Sequence, residues 1–420
     1  MKVIVSHPSI APHVKQTVMA YQEAAYLKHF YTSFFEHPEN SLSNKLSAFS
    51  YLKNLVKRRQ FNELPIHKFI SRPLPELMRT FFSRLGYPLI TDRIWEWSEL
   101  SFDSWVAKAL THDQTDVVHT YEHCALKTLV KAKAMNILSV YEQPSQHHLF
   151  FTKVVQKQFE LYPELRTENT DLLVNSKAVR RNKRRDEELK IADLIICNSS
   201  FTKKTLIEGG IDAAKIEVIP LAFPVDQPHI IQEKTSTGPV KFLYAGNQSI
   251  RKGSHLLYEA WKQCNFNEQE AELYLIGKMT LPEKIRRNLP GKVIIKENIP
   301  HQELMDLYSE VDVFVLPTLA DGFGMVVTEA MANGIPVIAT DACCGPDLIS
   351  PRENGWIIPA GDLEALINQI KWCTANKIEL PKFGAAALRK AQTWTWHQYR
   401  EKLSEIIFNK WTERKTKPSA

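Results

Sequence analysis

The sequence predicts an α/β protein built from two doubly wound, Rossmann-like domains. Short apolar runs that suit buried strands alternate along the chain with longer stretches of helical periodicity. A stretch rich in Pro, Gln, Lys and Thr at residues 224–239 interrupts this alternation and reads as a linker. A length of 420 residues accommodates two domains. We therefore place one domain at residues 1–225 and a second at 226–394.

The composition narrows the possible classes of function. No run of 18 or more apolar residues occurs, so a transmembrane helix is not expected. The N-terminus becomes polar too early for a signal peptide, and the six cysteines lack metal-ligand spacing, which predicts reduced thiols in a cytoplasmic protein. A net charge of +6 permits an anionic partner without indicating nucleic acid.

The first domain is predicted to contain five buried strands. They correspond to short apolar runs at residues 2–6, 116–119, 137–141, 191–198 and 216–220. Helices are predicted at 14–30, at 177–190 and from about residue 203, where Ser199, Ser200 and Thr202 offer capping hydroxyls.

Two basic stretches in this domain have alternative interpretations. Residues 45–61 mix apolar, aromatic and basic side chains, and residues 177–190 contain seven lysines and arginines. The simpler interpretation is a helix packed on the sheet in the first case and a solvated helix face in the second. The alternative is peripheral contact with an anionic membrane surface, at its cytoplasmic face.

Polar residues follow the strand at 116–119, where ligands gather in open α/β sheets. His119, Tyr121 and His123 are each candidates to face a cleft, and the sequence does not choose among them. A hydrogen-bonded structural histidine is the alternative for His119. The run from His119 to His123 also matches H-x-x-E-H, but zinc binding needs both histidines on one helix face. Because the first histidine ends a strand, we do not expect a metal site.

Residues 316–340 are the most informative part of the chain. They predict a buried strand, a turn containing Gly322 and Gly324, a helix ending near Gly334, and a second buried strand. A glycine turn that leads into a helix N-terminus is suited to binding an anion. Asp321 precedes the turn and Glu329 lies eight residues further along, inside the helix.

The rest of the second domain continues the alternation. A strand at 240–246 ends in Gly246 and is followed by a loop that carries Arg251 and Lys252. Further strands are predicted at 272–277, 293–296 and 355–359, and helices at 256–264, 302–309 and 393–413.

Three motifs in this order resemble those of the retaining glycosyltransferases of family 4, in glycosyltransferase group 1. They are Gly246 with Arg251-Lys252-Gly253, the segment from Asp321 to Glu329 with EAMANGIPVIAT, and the segment 344–366 with CGPDLI and NGW. The resemblance implies the GT-B fold, in which two Rossmann-like domains face each other across a cleft. It also implies that the C-terminal helix, residues 395–420, packs back on the first domain.

The resemblance further implies a role for each site residue. Arg251 and Lys252 would bind the diphosphate of a nucleotide sugar, Asp321 would contact the sugar, and Glu329 the ribose. His119 is the candidate catalytic residue from the first domain. The remaining donor-binding candidates are Gly246, Asn247, Phe323, Gly324, Met325 and Val326.

Three features depart from the family pattern. Asp321 stands where Glu is usual, and Asn247 stands where many members have Arg, a role that Arg251 could take over. The glycine-rich loop after the first strand is replaced by Pro8-Ser9-Ile10-Ala11-Pro12. Simpler alternatives are that Asp321 caps a turn, that Glu329 is a solvated acid, and that Arg251 and Lys252 are surface charges.

The sequence thus predicts a retaining, metal-independent hexosyltransferase. It would move a sugar from a UDP- or GDP-linked donor to a glycan or lipid-linked acceptor, with no cofactor, no metal and no nucleic acid partner. The alternatives are a nucleotide-sugar-binding or membrane-docking protein without turnover, and a GT-B epimerase or phosphorylase.

Overall fold

The computed structural model describes residues 1–39, 59–84, 88–110, 114–171, 173–174, 176–224, 238–297 and 299–416. These residues form two fully parallel sheets, one of seven strands and one of six. The segment 45–61, a candidate for membrane contact, lies outside the described residues except for residues 59–61. None of the described helices combines the length and the hydropathy that a bilayer crossing requires.

The first sheet has the strand order β3-β2-β1-β4-β5-β6-β7. Its strands are β1 (Val3–Ser6), β2 (Leu27–Thr32), β3 (Phe69–Ser71), β4 (Val117–Tyr121), β5 (Leu138–Gln143), β6 (Leu194–Cys197) and β7 (Ile216–Val218). Its helices are α1 (Pro12–Glu23), α2 (Leu74–Arg84), α3 (Pro88–Ala109), α4 (Leu126–Ala134), α5 (His148–Leu161), α6 (Glu168–Asp171), α7 (Ser176–Ile191) and α8 (Ser200–Glu208).

The helix predicted at residues 14–30 is wrong in its second half. Helix α1 ends at Glu23, and the chain reverses at Ala25, whose φ is +58°. The N–H of Tyr26 donates to the carbonyl of Tyr21 at 2.8 Å, and that of Ala25 donates to Gln22 at 3.1 Å, which is a Schellman ending. An alanine occupies the left-handed position that glycine usually fills, so the sequence carries no stop signal before β2.

The basic helix α7 lies against acidic side chains of α3. Arg180 pairs with Glu96 at 3.0 Å, Arg181 with Asp92 at 2.5 Å and Arg184 with Glu99 at 3.4 Å. Three of the arginines in the stretch 177–190 therefore have acidic partners within the protein. The charge density of α7 predicts a solvated helix face, but these ion pairs place part of that face against α3.

The second sheet has the strand order β10-β9-β8-β11-β12-β13. Its strands are β8 (Val240–Ala245), β9 (Ala271–Ile276), β10 (Lys292–Lys296), β11 (Val313–Leu316), β12 (Val337–Thr340) and β13 (Gly355–Ile358). The helices that follow β7 are α9 (Ser254–Cys264), α10 (His301–Glu310), α11 (Met325–Ala332), α12 (Gly345–Leu348), α13 (Leu363–Ala375), α14 (Leu380–Ala391) and α15 (Trp396–Thr416).

Each sheet reverses its direction of winding once, between β1 and β4 in the first and between β8 and β11 in the second. Loops at such a reversal diverge and leave a crevice at the carboxyl ends of the strands. The two domains meet at this edge, where the Ser199 hydroxyl donates to the carbonyl of Gly322 at 2.5 Å. The N–H of Ser200 also donates to Asp347 at 2.9 Å.

The final helix, α15, crosses from the second domain onto the first. Tyr399, Leu403 and Ile407 are fully buried in the hydrophobic core that also contains residues of α1. Arg400 donates to Glu23 and to Gln16 of α1, both at 2.7 Å. The helix therefore ties the C-terminus to the first domain.

Candidate active site

Two loops at the reversal point of the second sheet form the centre of the site. The loop after β8 carries Arg251, whose carbonyl accepts the N–H of Leu319 at 2.9 Å and the hydroxyl of Thr318 at 2.9 Å. Gly253 has a φ of +65°, and a Cβ there would collide with the carbonyl of Pro317. Only glycine lets the two loops approach this closely, which fixes the position of the neighbouring cations.

Asp321 forms ion pairs with both cations of the β8 loop. Its Oδ1 lies 2.8 Å from Nη1 of Arg251, and its Oδ2 contacts Nζ of Lys252. Burial alone would raise the pKa of Asp321, but Lys252 and Arg251 outweigh it and hold this pKa below its ordinary value. The three side chains leave one net positive charge, and Arg251 remains 38% exposed.

Helix α11 begins directly beside this ion-pair cluster. A Cβ built on Gly324, the residue before the helix, would lie 3.4 Å from Oδ2 of Asp321. The N–H groups of Gly324, Met325 and Val326 donate to no acceptor within the described residues. Unpaired N–H groups at a helix N-terminus attract anions, and the adjacent cations strengthen that attraction.

Other predicted donor-binding residues occupy different environments. The side chain of Asn247 is exposed at the β8 loop, and the carbonyl of Asn247 accepts the Tyr244 hydroxyl at 2.9 Å. Phe323, by contrast, is only 3% exposed and belongs to the hydrophobic core. The structure thus places the Phe323 ring where it presents little surface to a ligand.

Glu329 lies inside α11 and is joined to Tyr308 of α10. The Tyr308 hydroxyl donates to Oε2 of Glu329 at 3.3 Å. Burial raises the pKa of Glu329, an effect that His301 and the Tyr308 hydrogen bond only partly oppose. Sequence reasoning missed Tyr308 because its partner is 21 residues away and no local spacing links them.

Gly322 is the point where the site touches the first domain. Its carbonyl accepts the hydroxyls of Ser199 at 2.5 Å and of Thr202 at 3.1 Å. A Cβ at this position would overlap the carbonyl of Pro144 and lie 2.8 Å from Cα of Ser145. We call the loop after β11, residues 317–324, the donor-side loop because it carries predicted donor-binding residues. Gly322 thus permits direct backbone contact between the donor-side loop and the loop after β5.

The structure places His119 away from any cleft. Its side chain is 0% exposed, with Nδ1 2.8 Å from the Tyr21 hydroxyl and Nε2 3.1 Å from Oε2 of Glu142. It is a hydrogen-bonded histidine within the sheet, the alternative left open by the sequence. Tyr121 is also 1% exposed, whereas the side chain of His123 is 31% exposed.

We predict that His119→Ala destabilises the first domain instead of selectively removing catalysis. The substitution leaves the buried Tyr21 hydroxyl without its partner at His119 and leaves Glu142 with only the Thr17 hydroxyl, 3.3 Å away. This loss costs about 3 kcal/mol in unfolding free energy. Urea unfolding followed by circular dichroism measures this loss, with the exposed His67→Ala as the control. An unchanged unfolding midpoint together with a loss of transfer above about 100-fold would instead restore a catalytic role.

A second cluster of polar residues lies on the first-domain side of this contact. Glu122 pairs with Arg185 at 3.1 Å and accepts the Ser145 hydroxyl at 2.7 Å. Arg185 also contacts His123, and burial lowers the pKa of this histidine to about 4, an effect that Arg185 reinforces. The backbone of Pro144 and Ser145 lies against Gly322, so this cluster faces the donor-side loop.

Aromatic side chains lie at the carboxyl ends of β1 and β4 in the first sheet. His7, at the end of β1, lies edge-on to Tyr121 with ring centroids 4.7 Å apart, and His13 lies 6.0 Å from the same ring. Burial and the neighbouring His13 lower the pKa of His7 to about 3. His7, which is only partly buried, therefore presents a neutral ring at the reversal point between β1 and β4, and the buried Tyr121 packs behind it.

One group of side chains in the described part of the chain has metal-like geometry. His147, His148 and Asp186 bring three possible ligand atoms within 4.8 Å of one another. However, Nδ1 of His147 accepts the N–H of Leu149 at 3.3 Å, which places the proton of the neutral ring on Nε2. Oδ1 of Asp186 is hydrogen-bonded to Nε2 of His148 at 2.7 Å and lies 3.4 Å from Nε2 of His147, within ion-pairing distance. This carboxylate accounts for the proximity of the two rings.

The second domain is similar to a known family. Residues 226–407 match the family model of "Glycosyl transferases group 1". The match covers the β8 loop, the Asp321 loop and helix α11, so the ion-pair cluster lies within the matched segment.

The curated relatives include glycosyltransferases of polysaccharide and glycolipid synthesis. The chain is 25% identical over 230 residues to the amylovoran biosynthesis glycosyltransferase AmsK of Erwinia amylovora, covering 51% of this chain and 56% of AmsK. It is 23% identical over 237 residues to a GDP-mannose-dependent phosphatidylinositol monomannoside mannosyltransferase of Mycolicibacterium smegmatis, covering 51% and 62%. The chain spans about half the length of the curated relatives it matches.

Solved structures establish the fold across both domains. Sucrose-phosphate synthase from Thermosynechococcus elongatus superposes with a TM-score of 0.62 at 18% identity, covering 98% of this chain and 100% of that one. HepE of Anabaena, solved with UDP-glucose, gives a TM-score of 0.59 at 17% identity, covering 97% and 100%. With its two parallel sheets, the protein has the GT-B fold, as the sequence predicted.

Proposed function

We propose that the protein is a retaining glycosyltransferase that transfers a hexose from a nucleotide-diphosphate sugar to a hydroxyl acceptor. The observation that carries this proposal is the joint position of Arg251, Lys252 and the free N–H groups of α11 at one edge of the second sheet. The group 1 family match over this domain and the UDP-glucose complex of HepE support a nucleotide-sugar donor.

The donor's diphosphate would bind between the cations and the start of α11. Asp321 neutralises part of the charge of Arg251 and Lys252. A diphosphate would replace Asp321 as their partner through charge-assisted hydrogen bonds, and Asp321 would then be free to contact the sugar. This arrangement supplies positive charge without a metal, so we propose metal-independent binding.

The proposed reaction proceeds on one face of the sugar. The bond between the anomeric carbon and the phosphate oxygen breaks, and its electron pair leaves with the nucleoside diphosphate. The acceptor hydroxyl oxygen bonds to the same face of that carbon, and its proton passes to the departing phosphate oxygen. Arg251 and Lys252 stabilise the negative charge that develops on this oxygen, and Asp321 stabilises positive charge on the sugar.

The first domain would supply the acceptor side. The cluster of Glu122, Ser145 and Arg185 and the partly buried ring of His7 face the reversal point of the first sheet. Glycan hydroxyls need both donors and acceptors, and these side chains provide both. Contact through Gly322 would exclude water from the reacting atoms.

Substitution of Glu329 tests the donor site by two measurements, the pH dependence of stability and the affinity for a nucleotide. Because burial raises its pKa, ionised Glu329 costs the folded protein free energy, and this cost appears as the pH rises through the raised pKa. We predict that Glu329→Gln gains stability relative to the parent as the pH rises from about 4.3, the ordinary pKa of a glutamate, toward neutral pH. The same substitution should weaken nucleotide binding about tenfold or more, since it removes a charged acceptor for ribose hydroxyls.

Thermal melts across this pH range and calorimetric titration with UDP and GDP measure the two effects. Gln302→Glu, a surface change on α10, serves as a charge control because its side chain contacts only Asp306 among the described residues. Unchanged nucleotide affinity in Glu329→Gln would remove Glu329 from the donor site.

Nucleotide-sugar binding without turnover is the competing function. A screen of UDP- and GDP-sugars by thermal stabilisation identifies the donor, and release of nucleoside diphosphate on adding glycan or lipid-linked acceptors then separates the two functions. Proton NMR of the product reports the anomeric configuration. Acceptor-dependent release with retained configuration is expected, and stabilisation without release would favour the binding protein.

A further inference from the structure

A groove on the second domain lies outside the proposed donor site. It has a volume of about 590 Å³ and runs between α13, α14 and the turn at residues 351–354. Its aromatic lining consists of Trp356, Trp372 and Phe383, and its cationic lining consists of Arg352, Lys382 and Arg389. We call it the rear groove.

The rear groove lies at the edge of the sheet opposite to the donor site. The turn at residues 351–354 comes directly before β13, whereas the Arg251 and Asp321 loops come after β8 and β11. Because all strands of this sheet are parallel, the two sets of loops lie at opposite ends of the strands. A ligand in the rear groove would therefore not compete with the donor.

The three aromatic rings form one rigid apolar wall. Trp356 stacks on Phe383 with ring centroids 4.8 Å apart, and Trp372 lies 5.3 Å from the first ring and 5.8 Å from the second. Trp356 and Phe383 are 6% and 7% exposed, so core packing holds them in place. Trp372 is less buried and presents its ring to the groove.

The charged side chains around this wall have no partners among the described residues. Arg352, Lys382 and Arg389 form neither an ion pair nor a side-chain hydrogen bond there, and neither do the lining acids Glu353 and Glu379. Opposite charges that share a groove without pairing leave their donors and acceptors available to a ligand.

The backbone around Arg352 holds its position. Its φ of +62° is unusual for a non-glycine residue. The turn is closed by the Arg352 N–H, which donates to the carbonyl of Gly355 at 2.9 Å, and by Asn354, whose Oδ1 accepts the N–H of Ser350 at 2.9 Å. The Arg352 side chain therefore extends from a well-defined backbone position at the rim of the groove.

We propose that the rear groove binds an acidic carbohydrate, that is, a sugar ring carrying a carboxylate or a phosphate. The apolar C–H face of a pyranose can lie against the Trp372 ring, and its acidic group can bind Arg352, Lys382 or Arg389. Glu353 and Glu379 accept hydrogen bonds from sugar hydroxyls. The ligand is a residue of an acidic glycan or a free sugar phosphate, which share this chemistry.

The test titrates the full-length protein with matched sugars by calorimetry and tryptophan fluorescence. Trigalacturonic acid and maltotriose are both α-1,4-linked trisaccharides, and they differ in their carboxylates and in the configuration at C4. The charge variants below separate the effect of the carboxylates from that of the configuration, and glucose 6-phosphate represents the free sugar phosphate. Binding of trigalacturonic acid at least tenfold tighter than maltotriose is expected. Tight binding of glucose 6-phosphate as well would assign the site to a free sugar phosphate, and its absence would assign the site to a glycan chain.

Variants locate the binding. Arg352→Asn with Arg389→Gln removes two exposed cations, and asparagine tolerates the left-handed backbone at position 352. This double variant should weaken the binding of the acidic sugar at least tenfold, and Trp372→Ala should do the same. Lys402→Gln with Lys410→Gln removes the same charge from α15 and should leave binding within twofold.

Two outcomes would overturn the proposal. One is equal binding of maltotriose and trigalacturonic acid, or of neither. The other is equal loss of binding in the rear-groove and α15 charge variants, which would show only non-specific attraction of an anion to a basic protein. Since Arg352→Asn with Arg389→Gln alters exposed side chains only, its melting temperature should match the parent's, and nucleotide binding at the donor site should persist.

Discussion

Replacing Lys252 with methionine should lower the rate of sugar transfer by about 100- to 1,000-fold, the usual cost of losing one donor that stabilises transition-state charge. Lys252 is largely buried beside Asp321. Its ammonium group contacts Oδ2 of Asp321, the oxygen that lies 3.4 Å from a Cβ built on Gly324 at the start of α11. Methionine keeps most of the aliphatic volume, so the change removes chiefly the charge. Arg251→Ala should likewise cut transfer severely while leaving the fold intact.

The measurement is release of nucleoside diphosphate at saturating donor and acceptor, together with the melting temperature. Lys278→Met is the matched control, because Lys278 is exposed in the same domain and forms no ion pair within the described residues. The control should keep parental activity. Parental turnover in both Lys252→Met and Arg251→Ala would remove these cations from the mechanism.

Adding one methyl group at Gly322 should reduce transfer by about 100-fold while nucleotide affinity changes by less than about threefold. The new Cβ would overlap the carbonyl of Pro144, so the second domain must move away from the loop after β5. The donor site is built within the second domain and should survive this movement. The reacting groups of the two domains would no longer be aligned.

Two serines provide graded controls for this effect. Ser199→Ala removes the hydroxyl that donates to the Gly322 carbonyl at 2.5 Å and also caps α8, and it should give an intermediate loss of transfer. Ser200→Ala leaves the backbone N–H bonded to Asp347 and should behave like the parent. Small-angle scattering should show a larger radius of gyration for Gly322→Ala only; parental transfer by this variant would show that the contact is dispensable.

The second domain was predictable because its signals are local. The glycine turn, the helix and the two flanking strands of residues 316–340 follow one another in sequence and in space. The approach of Arg251 and Lys252 to Asp321 could be expected only from the topology, since parallel strands bring β8 and β11 side by side. The exact ion pairs could not be predicted, because Arg251 and Lys252 are some 70 residues from Asp321 along the chain.

The first domain was predicted less well, for two physical reasons. Helix α1 ends at an alanine in a glycine-type conformation, so the start of β2 looked like more helix. Polar side chains at strand ends also look alike in sequence whether they are buried or open. His119 is enclosed by Tyr21 and Glu142, whereas Glu122 pairs with Arg185 of α7 within the same domain, a pairing set only by tertiary packing.

The charge-dense helix α7 illustrates the same limit. Its arginines suggested a solvated or lipid-facing surface, but the acids that neutralise them lie on α3, more than 80 residues earlier. Arg185, on the same helix, instead joins the cluster that faces the donor-side loop. The run of basic residues was visible in the sequence. The role of each one could not be predicted, because it depends on which face of α7 the residue occupies.

Calorimetric titration of UDP and GDP in the presence of EDTA tests the central claim most directly. We predict that at least one of the two nucleotides binds the parent without a metal ion. We also predict at least tenfold weaker binding in Lys252→Met and parental affinity in Lys278→Met. Binding that needs a divalent cation, or that is equally strong in Lys252→Met, would contradict the assignment of Arg251, Lys252 and the α11 N-terminus as the diphosphate site.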